Sequence, residues 1–266
     1  MLNPIKISIS NQSTLFKDID LPALANALQI QVARDFFPAW GVTAEIFYTP
    51  TGAHPTADHW VLALLDDADQ AGALGYHDVT PAGLPLGKAF VRTTQADGGQ
   101  ISVTVSHELL EMLGDPQINL AAQDGNIFWG YEVADAVESD ADGYEITIPA
   151  GWAGAGAKVL VSDFVYPSWF ETFRTVGPFD FGTKLTAALE LSPGGYISFL
   201  DLNNLALGWQ QKNARLASDA YRVRSRPHVG SRRARRAMPR YEWVRSTYAP
   251  GSEALPTNVG LWMTPL

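Results

Sequence analysis

Ser106-His107-Glu108-Leu109-Leu110-Glu111-Met112-Leu113-Gly114-Asp115-Pro116 is the stretch on which the reading of this chain turns. At about 100° per residue, a helix through it sets His107, Glu111 and Gly114 on one face, and Val105, Leu109, Met112 and Leu113 on the other as an apolar stripe. His107 and Glu111 then stand one turn apart, the spacing at which two side chains of a helix hold one ion. Glu108 lies beside them, placed to take a proton from an attacking water. The bland reading of the same string is an exposed acidic helix face, because a helix surface tolerates Glu anywhere. A carboxylate ligand accepts Zn²⁺ and suits Mn²⁺, Mg²⁺ or Ca²⁺ as well. The expected cofactor is therefore a divalent metal, Zn²⁺ first, with Mn²⁺ or Ca²⁺ as alternatives.

Composition narrows the classes. With 266 residues and 46% hydrophobic content, the chain can bury a large core, which argues against disorder. There is no Cys, so disulfides and thiolate zinc sites are excluded and any metal falls to His, Asp, Glu or backbone oxygen. No apolar run approaches the roughly 20 residues that span a bilayer, and Met1-Leu2-Asn3-Pro4-Ile5-Lys6 lacks the apolar core of a secretion signal. These features predict a soluble, cytoplasmic protein with no membrane contact.

The net charge of -9 conceals an asymmetry. Residues 1–220 carry 10 basic and 26 acidic side chains, whereas residues 221–266 carry 9 and 2. The expected organisation is an acidic body over 1–220 and an Arg-rich C-terminal arm over 221–266. All nine basic residues of the arm are Arg between Arg222 and Arg245, a segment suited to an acidic protein surface or to nucleic acid. No aromatic residues interleave its core runs, Arg222 to Arg226 and Ser231 to Arg236, so base-specific readout is not expected.

Along the body, Ile5 to Ile9 alternates as a strand, and Asp20 with Leu21-Pro22 opens a helix expected to stop before Pro38, with Leu28, Val32 and Phe36 as its packing stripe. Thr43 to Thr49 and the nearly all-apolar Trp60 to Leu65 read as strands, the second central in its sheet. Gly72 to His77 and Gly87 to Arg92 read as two more. The order is strand, helix, four strands, then the His107 helix.

That order, with His107, Glu108 and Gly114 in register, resembles the N-terminal half of zincin metallopeptidases over roughly residues 5–116, the metzincin branch in particular. The resemblance implies an α+β fold in which a mixed sheet with one antiparallel edge strand lies on the active-site helix. It also implies a peptide or protein substrate paired along an edge strand, for which Gly87 to Arg92 is the candidate. Glu111 stands where the family has a second His, and Gln117 where metzincins have a third ligand. The gluzincin branch takes its third ligand from a Glu about 20 residues on, which here points to Glu132.

The expected site is therefore His107, Glu111 and Glu132 as metal ligands and Glu108 as general base. Asp135, Asp115 and His77 are the alternatives for the third ligand position. Glu132 and Asp135 lie in Phe128 to Glu138, which alternates like a strand and would place them on opposite faces. His77 could also steady an oxyanion. His54 and His59 share a Gly/Pro loop and read as surface or core-satisfied imidazoles.

Glu138 to Gly143 imitates half a calcium loop, but an Asp142-Gly143 hairpin joining Tyr131–Val137 to Tyr144–Pro149 is the simpler expectation. Val159 to Phe170 reads as a strand ending in an aromatic plug, and Gly194 to Leu200 as a further β-hairpin strand with Leu205 to Gln211 alongside. Two functions compete: a metal-dependent hydrolase acting on peptides, and a catalytically inactive protein on the same scaffold that docks through its Arg-rich arm.

Overall fold

The computed structural model describes residues 5–70, 73–80 and 82–214. The Arg222–Arg245 arm and the boundary at 220/221 lie outside the described residues. Within them the chain is a mixed α+β structure. None of the described helices is long and apolar enough to cross a membrane.

Ile5–Asn11 (β1) leads into Leu21–Ile30 (α1), and the helix continues through a widened π-type stretch at Gln31–Phe36 into Phe37–Trp40 (α2). The expected stop before Pro38 is not observed. Pro38 sits in the first turn of α2, and its missing N–H falls where the helix has already widened; the end comes at Gly41, left-handed at φ 69°. Asp20 holds the N-cap position ahead of Leu21-Pro22, as expected, but its side chain makes no capping hydrogen bond. Leu28, Val32 and Phe36 are fully buried.

Ala44–Thr49 (β2), Trp60–Leu65 (β3), Gly75–Val79 (β4) and Pro85–Phe90 (β5) join β1 in one sheet of order β2-β1-β3-β5-β4. β1, β2, β3 and β5 are parallel, and β4 alone runs antiparallel, against β5. β3 is central, as its apolar sequence requires. Gly87 to Arg92 is not an edge strand: β5 lies between β3 and β4, and Val91 and Arg92 already belong to Val91–Ala96 (α3).

Ile101–Gly114 (α4) packs on this sheet. The approach is close because β5 carries no side chain at Gly87, where a Cβ would lie 2.7 Å from Met112 Sδ. Gly87 pairs with His77 across the β4–β5 ladder, so the same contact brings β4 over α4. The helix is buried from Val103 to Leu113 on every side, not amphipathic.

The remainder is Ala121–Asp124 (β6), Ile127–Gly130 (β7), Tyr144–Thr147 (β8), Lys158–Val161 (β9), Tyr196–Asp201 (β10) and Trp209–Asn213 (β11). β6, β7, β10 and β11 form an antiparallel sheet of order β11-β10-β7-β6, and β8 pairs with β9. The hairpin expected across Asp142-Gly143 does not form, because β8 takes β9 as its partner and β7 ends at Gly130. Asp142 is instead buried, accepting from Lys184 Nζ at 3.0 Å and from the Ser192 hydroxyl. The aromatic stretch does plug a core: Trp169 and Phe170, in a short 3-10 turn, pack with Phe179, Leu185, Leu189 and Ile197.

One carboxyl pair fastens the loops of this second core. Asp163 Oδ1 accepts from the N–H groups of Phe164 (2.7 Å) and Gly182 (3.0 Å), while Asp180 accepts from those of Lys184 (2.9 Å) and Leu185 (2.8 Å). Burial, with Asp180 alongside, pushes Asp163 up to about 8 from an ordinary 3.8. The native state thus keeps a proton that the unfolded chain releases near its ordinary value. The stabilisation is complete below pH 3.8 and is lost as the pH rises through about 8. Urea unfolding of the wild type should show stability falling across that window, and Asp163→Asn should flatten the fall; an equally steep decline in the variant would remove this pair as its source.

Candidate metal centre

Three segments converge on Glu111. α4 supplies His107, Glu108 and Glu111, β4 supplies His77, and the irregular chain after β7 supplies Glu132 and Asp135. The strand expected over 128–138 ends at Gly130, and Asp135–Val137 is a 3-10 turn. Both acids are consequently buried, where an unbroken strand would have parted them.

The rotation of α4 is set one residue before His107. Ser106 Oγ donates to Gln31 Oε1 at 2.7 Å and accepts from the Ser162 N–H at 3.0 Å, while Gln31 Nε2 donates to Ser162 O at 2.8 Å. The widened helical stretch supplies Gln31 and also Asp35, which accepts from Tyr144 Oη at 2.9 Å. At the far end of α4, a Cβ on Gly114 would lie 2.6 Å from Val133 Cγ1. Gly114 is the last residue of α4 and also permits this close approach. That approach lets the Ala134 N–H donate to Glu111 Oε1 at 3.3 Å.

Glu111 Oε2 faces two imidazoles, His107 Nε2 and His77 Nδ1, each at 3.5 Å. His107 Nε2 lies 3.3 Å from Asp135 Oδ1, and His77 Nδ1 lies 3.9 Å from Glu108 Oε2. Exposure is 0% for His77 and Glu111, 1% for Glu132 and Asp135, 4% for Glu108 and 8% for His107. An acidic solvent-facing helix surface is thereby excluded. Carboxylates buried this deeply cost several kcal/mol each, roughly, unless compensated by hydrogen bonds or opposite charge.

Two sets of potential ligand atoms, each lying within 4.8 Å of one another, occur among the described residues: His107, Glu111 and Asp135, and His77, Glu111 and Glu132. The expected trio of His107, Glu111 and Glu132 is thus divided. Glu111 keeps company with both other members, but Asp135 stands beside His107 where Glu132 was expected. The separations suit an ion: ligand bonds of about 2.0–2.1 Å place tetrahedral ligand atoms about 3.3–3.4 Å apart. The 3.3 and 3.5 Å distances about His107 match that edge length.

The other candidates are engaged elsewhere. The Asp115 carboxylate accepts from the N–H groups of Asn119 (2.9 Å) and Leu120 (3.1 Å), closing the turn after α4. Gln117 is exposed and donates to Gly83 O at 3.2 Å. His54 is exposed, and His59 Nδ1 lies 2.8 Å from Ser8 Oγ. Glu108 lies over Gly75 at the start of β4.

Tyr196 is a participant that the sequence did not disclose. Burial raises its phenol well above the ordinary value, and a hydrogen bond to Asp135 holds the proton in place, with Glu138 and Glu108 adding to the effect. Nothing local marks this Tyr, because its place follows from the pairing of β10 with β7. No family model, curated protein or solved structure matches the chain.

Gly114→Ala should cost about 1–3 kcal/mol by overpacking against Val133 and displace the segment that bears Glu132 and Asp135. Denaturant unfolding with and without Zn²⁺ checks this, and the added Val133→Ala change should restore part of the loss. Wild-type stability and metal affinity in Gly114→Ala would show that the contact is not needed.

Proposed function

We propose that this chain is a metal-dependent hydrolase whose metal is held by His107, Glu111 and Asp135, with Glu108 as general base. The observation that carries the proposal is that Glu111 Oε2 and Asp135 Oδ1 lie 3.5 and 3.3 Å from His107 Nε2, near the edge spacing of a metal coordination shell, with ligand atoms of all three residues within 4.8 Å of one another. The resemblance to zincins supports it, since the motif helix lies against a mixed sheet with a single antiparallel strand at its edge. The cation would supply Lewis-acid stabilisation of charge on a scissile carbonyl. Glu108, one residue from the ligand His107, takes the proton of the attacking water and returns it to the leaving group. Tyr196 donates to Asp135 and fixes its orientation, as a hydrogen-bonding partner behind a metal ligand does. His107, the most exposed of the group, marks the side from which substrate reaches the site.

Peptide bonds are the first substrate class to assay, on the strength of the zincin resemblance. Strand pairing does not support that choice. β5 is internal, and in β4 His77 and Asp78 are 0% and 2% exposed. The Arg222–Arg245 segment is proposed as a contact for an acidic protein surface or nucleic acid, on charge alone.

Glu108→Gln should retain metal and lower hydrolysis of a peptide library by about 10²-fold or more, because an amide cannot accept the proton. Full activity in that variant would exclude Glu108 as base, and no cleavage by metal-loaded wild type would favour the catalytically inactive scaffold. Glu111→Ala should lose metal, whereas Glu111→His should shift preference from Mn²⁺ toward Zn²⁺. Titration with both ions reads the difference, and unchanged binding in Glu111→Ala would show that Glu111 is no ligand.

A further inference from the structure

We propose a second, closed cation site formed by His77 Nδ1, Glu111 and Glu132, which shares Glu111 with the first. The proposal builds on the reading of His107, Glu111 and Asp135 as a metal centre.

Hydrogen bonding determines the chemistry of His77. Its Nε2 lies 3.2 Å from Asp115 O, and a carbonyl oxygen can only accept, so Nε2 carries a proton. Nδ1 is then the ring nitrogen that faces Glu111 Oε2 (3.5 Å) and Glu108 Oε2 (3.9 Å), the atom a cation would take. A ring N–H given to a backbone carbonyl is also the usual way a metal-bound imidazole is oriented. Asp115 thus acts twice, its carboxylate closing the turn after α4 and its carbonyl aiming His77.

Geometry separates two ligand sets. Glu132, 1% exposed, falls with His77 and Glu111, apart from the set of His107, Glu111 and Asp135, so the first ion would leave Glu132 and His77 to hold another. Only Glu111 belongs to both ligand sets, and its Oε2 stands 3.5 Å from each ring.

The two sites differ in access. His107 keeps a small exposure, but His77, Glu111 and Glu132 have none to speak of. A metal site that catalyses keeps a coordination position open, and one that stabilises the fold is closed. The His77 site is therefore structural, tying β4, α4 and the chain after β7 into one unit. Its ligand is a divalent transition cation suited to one imidazole and two carboxylates, of the Mn²⁺ or Zn²⁺ class.

The test is titration of the full chain, stripped with chelator, by Mn²⁺ with calorimetry and electron paramagnetic resonance. Wild type should bind two equivalents and show an exchange-coupled spectrum from the shared carboxylate. Glu132→Gln, a nearly isosteric change, should bind one equivalent with an uncoupled spectrum, and so should Asp135→Asn. His77→Gln should match Glu132→Gln. One equivalent in wild type, retained in Glu132→Gln and lost in Asp135→Asn, would overturn the second site and leave the hydrolase centre standing. No binding in wild type would overturn both.

Discussion

A carboxylate with no access to water, pressed between two imidazoles, is the constraint around which this molecule is arranged. Glu111 lies in a helix buried on all sides, so solvent cannot screen its charge. The fold surrounds it instead: β4 brings His77 from one side, the preceding turn of α4 brings His107, and the chain after β7 donates a backbone N–H through Ala134. Two of these approaches depend on a missing side chain elsewhere. Gly87 lets α4 seat on the sheet beneath Met112, and Gly114 lets Val133 close on the helix end. The site is thus a product of packing as much as of its own motif.

How much of this could be read in the sequence follows from the range of each interaction. The His107–Glu111 pair was legible because helical spacing is local. The strand, helix and four-strand order was legible because periodicity and turn residues mark each element on its own. Partner choice was not. Tyr144–Thr147 alternates equally well beside Tyr131–Val137 and beside Lys158–Val161, and only the folded chain selects the latter. The same blindness made Gly87 to Arg92 an edge strand when β4 closes over it. An alternating pattern extended past Gly130 sets Glu132 and Asp135 on opposite faces, but the strand stops there and a 3-10 turn begins at Asp135. Gluzincin spacing selects Glu132, while the three-dimensional path delivers Asp135 to His107 and Glu132 to His77.

Buried polar groups recur away from the site, and several are matched there by hydrogen bonds. Gln31, Ser106 and Ser162 form a closed set that ties the widened helix, α4 and the chain just after β9 together, with Tyr144 and Asp35 continuing it. Asp163 and Asp180 resolve their proximity by keeping a proton. Such networks constrain geometry more than they add stability, because alternative packings would leave their members unsatisfied. Their position beside His107, through Ser106, matches what a ligand helix needs: a fixed rotation about its own axis.

The central claim is that the charge around Glu111 is balanced by metal. Its most direct test is elemental analysis of the full chain purified without chelator and without immobilised-metal resin. The expected result is a divalent transition metal at about one equivalent or more per chain, with unfolding on its removal shifted to lower temperature. A folded protein that carries no metal, and whose Tm does not move when Zn²⁺ or Mn²⁺ is added, would contradict it.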